Sequence, residues 1–188
     1  MELRTMRCII LLVIASALSG CASQPEADST RQLYVAAPEH YDVWVFDMML
    51  EHSGEPVRAQ SVGNVDCCWK GASGSGGQGF EVAQFPERLW IHWFSFAEQA
   101  FYSHMVHLPE GVNQPGSNAR PQSLTIGLAP GGAIVLWHPD PYGVENEIAR
   151  LQAQEISGNP VNFRQRTQRY ARQYAEHLER YGLQLERW

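Results

Sequence analysis

The chain has 188 residues and carries 20 acidic against 14 basic side chains, a formal net charge of −6. An acidic chain without a basic tail excludes the electrostatic footprint of a nucleic-acid-binding protein. Its length and apolar content suit one ordinary domain with one core, and no internal repeat divides it.

The N-terminus begins with Arg4 and Arg7, followed by an apolar run from Cys8 to Leu18 that is too short for an ordinary membrane span. A basic region, an apolar region and then small residues form the pattern of an export signal. Leu18-Ser19-Gly20-Cys21 resembles a bacterial lipobox. The resemblance implies that residues 1–20 are a signal peptide and that Cys21 is the lipidated first residue of the mature chain. Ala22, where an aspartate would favour the inner membrane, points by the same analogy to the outer membrane. Residues 21–32 are polar and without apolar period, which predicts a flexible tether. Residues 33–188 then form a single domain.

Most of that domain reads as strand. Tyr41 to Leu50 is nearly continuous in apolar and β-branched residues, predicting a strand covered on both faces. Val57 to Val65 alternates, and with the polar turn at Gly54 it predicts a hairpin. Cys67 and Cys68 are adjacent, so they cannot join distant segments to each other. Two structural thiols are the expectation, with a vicinal disulfide as the alternative. Gly71 to Gly79 reads as a surface loop. It lacks the Lys and hydroxyl of a phosphate loop and the final glycine of a nucleophile elbow.

Arg88 to Phe96 predicts a strong strand with Leu89, Ile91 and Trp93 on one face and Trp90, His92 and Phe94 on the other. Gln99 to Leu108 fits strand better than helix, and Pro109 ends it. On a strand, His104 and His107 point to opposite faces, so no metal site is predicted. No motif calls for a cofactor. Glu98 is the single charge in this apolar stretch. If buried it requires a partner such as Arg88 or Arg120, which predicts a structural salt bridge, with a binding role as the alternative.

Thr125 to Trp137, "TIGLAPGGAIVLW", predicts two alternating arms joined at Gly131-Gly132, where a tight reversal needs positive φ. Glu145 to Ile156 leans to strand. Asn159 and Pro160 open a helix whose stripe runs through Phe163, Thr167, Tyr170, Tyr174, Leu178 and Tyr181, with Gly182 as its stop. Arg164, Arg166, Arg169 and Arg172 lie off that stripe. They form a solvated face or, in the functional reading, a site for an acidic partner, with Arg164, Arg169 and Arg172 as the candidate binding residues. The carboxylates Asp42, Asp47, Glu98 and Glu145 are scattered, and no catalytic set emerges.

The lipobox, "SFAEQAFYSHMVHLP", "LTIGLAPGGAIVLW" and the terminal "YGLQLERW" together resemble the domain-of-unknown-function family 2931, a set of bacterial lipoproteins. The resemblance spans about residues 35–188, and residues 126–137 are its most specific piece. It implies envelope localisation and architecture but carries over no catalytic residue. Some small lipoproteins of this kind are similar to immunity proteins paired with secreted antibacterial effectors.

The expectation is therefore a mainly β domain, an antiparallel sheet or sandwich with a packed C-terminal helix. It would be lipid-anchored in the outer membrane, face the periplasm, and act as a non-catalytic binding module for a protein such as an effector toxin. The alternatives are an envelope structural or assembly factor and a hydrolase using His138 and Asp140.

Overall fold

A computed structural model describes residues 30–58, 62–67, 77–112, 122–139 and 144–188. The expected signal peptide, Cys21 and most of the expected tether therefore lie outside the described residues. Eleven strands, a single α-helix and three short 3-10 turns make up the described chain. The strands are β1 (Arg31–Ala36), β2 (Val43–His52), β3 (Glu55–Arg58), β4 (Gly63–Val65), β5 (Gln78–Val82), β6 (Arg88–Ser95), β7 (Ala100–His107), β8 (Ser123–Ala129), β9 (Ala133–Pro139), β10 (Glu145–Gln152) and β11 (Gln154–Ile156). The helix is α1 (Arg164–Tyr181). β1 begins two residues inside the expected tether.

The strands form two sheets. Sheet A has the order β10-β9-β8-β1-β5, and sheet B the order β11-β7-β6-β2-β3 with β4 also paired to β2. Every pairing is antiparallel except that of β1 with β8, which is parallel, so sheet A is mixed where an antiparallel arrangement was expected. The main core draws on both sheets, with Leu33, Val35, Val45, Ile91, Trp93, Ile126, Leu128, Ile134 and Leu136 all buried in it. This is the sandwich arrangement, built from inward residues alternating along each strand. A second cluster lies on the other face of sheet B, where Phe94, Phe96 and Phe101 pack against Tyr170 of α1. Trp93 in one core and Phe94 in the other are the two faces of β6, as its alternation predicts.

Two strands depart from simple alternation. In β2 the register against β6 shifts between Val45 and Asp47. The extra residue, Phe46, is 40% exposed, and the shift lets Val43 and Val45 before it, and Met48 and Leu50 after it, all face the core. The strand expected to be covered on both faces is thus a bulged one, its outer face covered at Trp44 and open at Phe46. The second departure is the segment 145–156, which is strand on either side of Ala153 and serves both sheets. β10 pairs with β9 in sheet A, and β11 pairs with β7 in sheet B. Buried Ala153 is the crossing point, and its N–H donates to the carbonyl of Gly132 at 2.8 Å.

The expected loop at 71–79 ends earlier than predicted, because Gln78 and Gly79 belong to β5. The absent side chain of Gly79 is what admits the Tyr34 ring, since a Cβ there would stand 2.5 Å from it. The single strand expected over 57–65 is two short ones, β3 and β4, both on β2. Cys67 is disulfide-bonded, which overturns the expectation of a structural thiol at that position; Cys68 lies outside the described residues.

α1 carries the predicted stripe, with Tyr170 buried and Phe163, Thr167, Tyr174 and Leu178 half-buried, while Tyr181 is exposed. The Asn159 side chain accepts from the Val161 N–H at 3.1 Å and caps the 3-10 turn that leads into the helix. Gly182, at φ 62°, closes the helix by donating to Leu178. Two tyrosines pin α1 to the sandwich. The Tyr170 hydroxyl donates to the His40 carbonyl, and the Tyr41 hydroxyl donates to the Gly182 carbonyl, each at 2.7 Å. Phe94 is fully buried and stacks on Phe163 with ring centroids 4.5 Å apart. Phe94→Ala is therefore expected to cost about 3–5 kcal/mol in urea unfolding. Trp90→Ala, on the same face but 41% exposed, is expected to cost under about 1.5 kcal/mol.

Candidate functional site

The glycine turn between β8 and β9 is a joint between the sheets. Gly131 and Gly132 have φ of 73° and 77°, the left-handed region that favours glycine. The Gly131 N–H donates at 2.8 Å to the Glu98 carboxylate, whose same oxygen accepts from the Tyr102 hydroxyl at 3.0 Å. Gln152 donates from its side chain to the Gly131 carbonyl. A Cβ on Gly132 would lie 2.8 Å from the Tyr102 ring. Backbone conformation thus favours glycine at both positions, and close approach adds a second requirement at Gly132.

This geometry removes Arg88 as the expected salt-bridge partner of Glu98. Arg88 pairs with Glu51, and Arg120 lies outside the described residues. The charge is held by a backbone N–H and a phenol, as a carboxylate can be. Burial, and then the neighbouring Glu98, push the Tyr102 hydroxyl well above its ordinary range, so it stays a proton donor. Glu98→Gln keeps an acceptor at this position and is expected to cost about 1 kcal/mol or less, whereas Glu98→Ala strands the Gly131 N–H and costs about 1–3 kcal/mol. Equal losses in chemical denaturation would show instead that the charge itself is indispensable.

The predicted binding residues divide. Glu98 belongs to the joint just described, far along the chain from the helix. Arg164 and Arg169, with Arg166, line a hollow of about 470 Å³ at the start of α1. Arg172 is exposed and lines neither this hollow nor the groove described next. Among the described residues none of Arg164, Arg169 and Arg172 is in an ion pair. His104 and His107 lie on strand β7, and among the described residues no cluster of three metal-ligating side chains is present. His138 packs edge-on to Phe85, with centroids 6.1 Å apart, while Asp140 lies outside the described residues.

A second site was not legible in the sequence. Between α1 and the β2–β4 end of sheet B runs a groove of about 340 Å³, lined by Asp42, Trp44, Asp66, Arg166, Arg169, Tyr174 and their neighbours. Val43 pairs with Val65, so continuing the register by one residue sets Asp42 opposite Asp66. The Asp42 Oδ1 is buried and has no hydrogen-bond partner. Arg166 stacks on the Trp44 ring at 3.8 Å, which fixes its guanidinium plane. The residues of this groove are some 130 positions apart, and only the cation-rich first half of α1 could have signalled it.

Burial, and then repulsion from Asp66, push the Asp42 carboxyl from 3.8 up to about 6. Between about pH 4 and 6 the folded chain keeps a proton that the unfolded chain has released. Stability therefore falls as pH rises through that window, and the penalty is fully present above it. Asp42→Asn is expected to unfold at higher urea than the wild type at pH 7.5, by up to about 1 kcal/mol because the group is partly solvated. The two should coincide at pH 3.5, and a variant less stable at pH 7.5 would show that the ionised form is stabilising.

The described residues thus form a β-sandwich with a helix pinned to one sheet, a cationic helix face and a groove of mixed charge. The chain belongs to the family of proteins of unknown function DUF2931, whose model matches residues 23–185. No curated protein and no solved structure matches it.

Proposed function

We propose that this member of the family is an outer-membrane lipoprotein, anchored through acyl chains on Cys21 and facing the periplasm. Its domain acts there as a binding module without catalysis. The observation that carries the binding reading is the charge of α1. Its first half holds Arg164, Arg166, Arg169 and Arg172, and its first turn has no acidic residue. Cations at that end oppose the helix dipole, and neighbours three apart repel one another, each effect unfavourable by a few tenths of a kcal/mol or more. Such placement does not serve the helix and supports a role in meeting an acidic surface. Exposed arginines of this kind chiefly speed and orient encounter. A secreted antibacterial effector is the partner class we favour, with this protein as its immunity protein.

The anchor is tested by labelling with radioactive palmitate and membrane fractionation. The wild type should label and sediment with outer membrane, and Cys21→Ala should do neither. Persistence of Cys21→Ala in the membrane would refute the anchor. Co-expression with a secreted effector encoded beside the gene should protect cells, and charge reversal at Arg164, Arg169 and Arg172 should abolish protection. Absence of both protection and a complex would remove the immunity role.

A further inference from the structure

The groove under α1 has a polarity that the arginine face alone does not explain. Asp42 and Asp66 stand at one part of it, Arg166 and Arg169 at another, and among the described residues no ion pair joins them. The charges that Asp42 feels most are Asp66, which repels its ionised form, and His40. One of its oxygens is buried with no donor. Two like charges facing each other beside an unused lone pair form an arrangement that a cation would relieve. The guanidinium of Arg166, with its Cζ 3.8 Å from the Trp44 ring centroid, carries a fork of donors suited to a carboxylate. At about 340 Å³ the groove has the size of a small-ligand site.

We propose that this groove binds a compact zwitterion of the amino-acid class, its ammonium group between Asp42 and Asp66 and its carboxylate on Arg166 and Arg169. Trp44 and Tyr174 supply the apolar walls. The same chemistry is offered by a free amino acid and by a lysine side chain flanked by carboxylates on a peptide. The inference rests on the binding reading and is independent of the anchor and of the toxin.

Isothermal titration of the full chain in detergent tests it with four probes. These are L-lysine, a capped Glu-Lys-Glu tripeptide, butylamine and butyrate. Lysine or the tripeptide should bind saturably at one site per chain, and each singly charged probe should bind at least about tenfold more weakly. Binding by lysine alone identifies a free ligand, and binding by the tripeptide alone a peptide-borne side chain. Asp42→Asn, nearly isosteric, should weaken the bound probe by about tenfold or more. Arg166→Gln with Arg169→Gln should weaken it similarly while leaving butylamine unaffected. Circular dichroism of each variant separates lost binding from lost fold. No saturable binding of lysine or tripeptide at millimolar concentration, or unchanged affinity in Asp42→Asn, would overturn the proposal. Neither result bears on the palmitate or protection assays.

Discussion

One oxygen of Glu98 ties the two sheets together where the chain passes between them. It lies in the β6–β7 turn of sheet B and accepts the N–H of Gly131 in the β8–β9 turn of sheet A. Around it the polar groups of the turn are taken up in sequence. The Gly131 carbonyl receives the Gln152 side chain, and the Gly132 carbonyl receives the N–H of Ala153. Ala153 is where β10 ends and β11 begins, so the clasp fixes the point at which one segment leaves sheet A and joins sheet B. Without it the buried crossing would leave backbone groups unpaired, a penalty that native folds avoid. The two positive-φ glycines, the isolated glutamate and the change of sheet are one device.

The helix is fixed by different means, and this leaves its arginines available. Tyr170 bonds to the carbonyl of His40, Tyr41 bonds to that of Gly182, and Phe163 stacks on Phe94. None of these interactions draws on a charge. The cations of the first half therefore have no structural task apart from the stacking of Arg166 on Trp44. Among the described residues, Asp42 and Asp66 below them are likewise in no ion pair. The packing of this surface is secured by aromatic side chains, so its charges are not what holds the helix in place.

Local features were legible in the sequence because they depend on neighbours along the chain. The alternation of 88–96, the glycine reversal at 131–132, and the stripe and cap of α1 each follow from a short-range period or a conformational demand. What was illegible depends on partners far away. One oxygen of Glu98 is held by a backbone N–H 33 residues on, a group that nearly every residue possesses and no composition reveals. The bulge at Phe46 disguises two half-strands of opposite parity as one continuous apolar run. β5 was hidden because glycine, normally a mark of loops, is there for the Tyr34 ring. Asp42 looked like one scattered carboxylate until the fold set it opposite Asp66 and beneath α1.

The sharing of one segment between two sheets also governs how copies of the protein behave toward one another. β10 and β11 are the outermost strands of sheets A and B on the side where they meet. Open strand edges invite a second chain to add on, the route to aggregation. Here β10 is broken by a register shift between Glu147 and Ala149 and studded by the Glu147–Arg150 ion pair at 2.7 Å. β11 is only three residues long. On the opposite side β3 holds Pro56, which has no N–H to offer, and β5 is a short strand with exposed Glu81. Among the described strands, β10, β11, β3 and β5 are thus each poor templates for a different reason, which disfavours addition of a second copy along these edges.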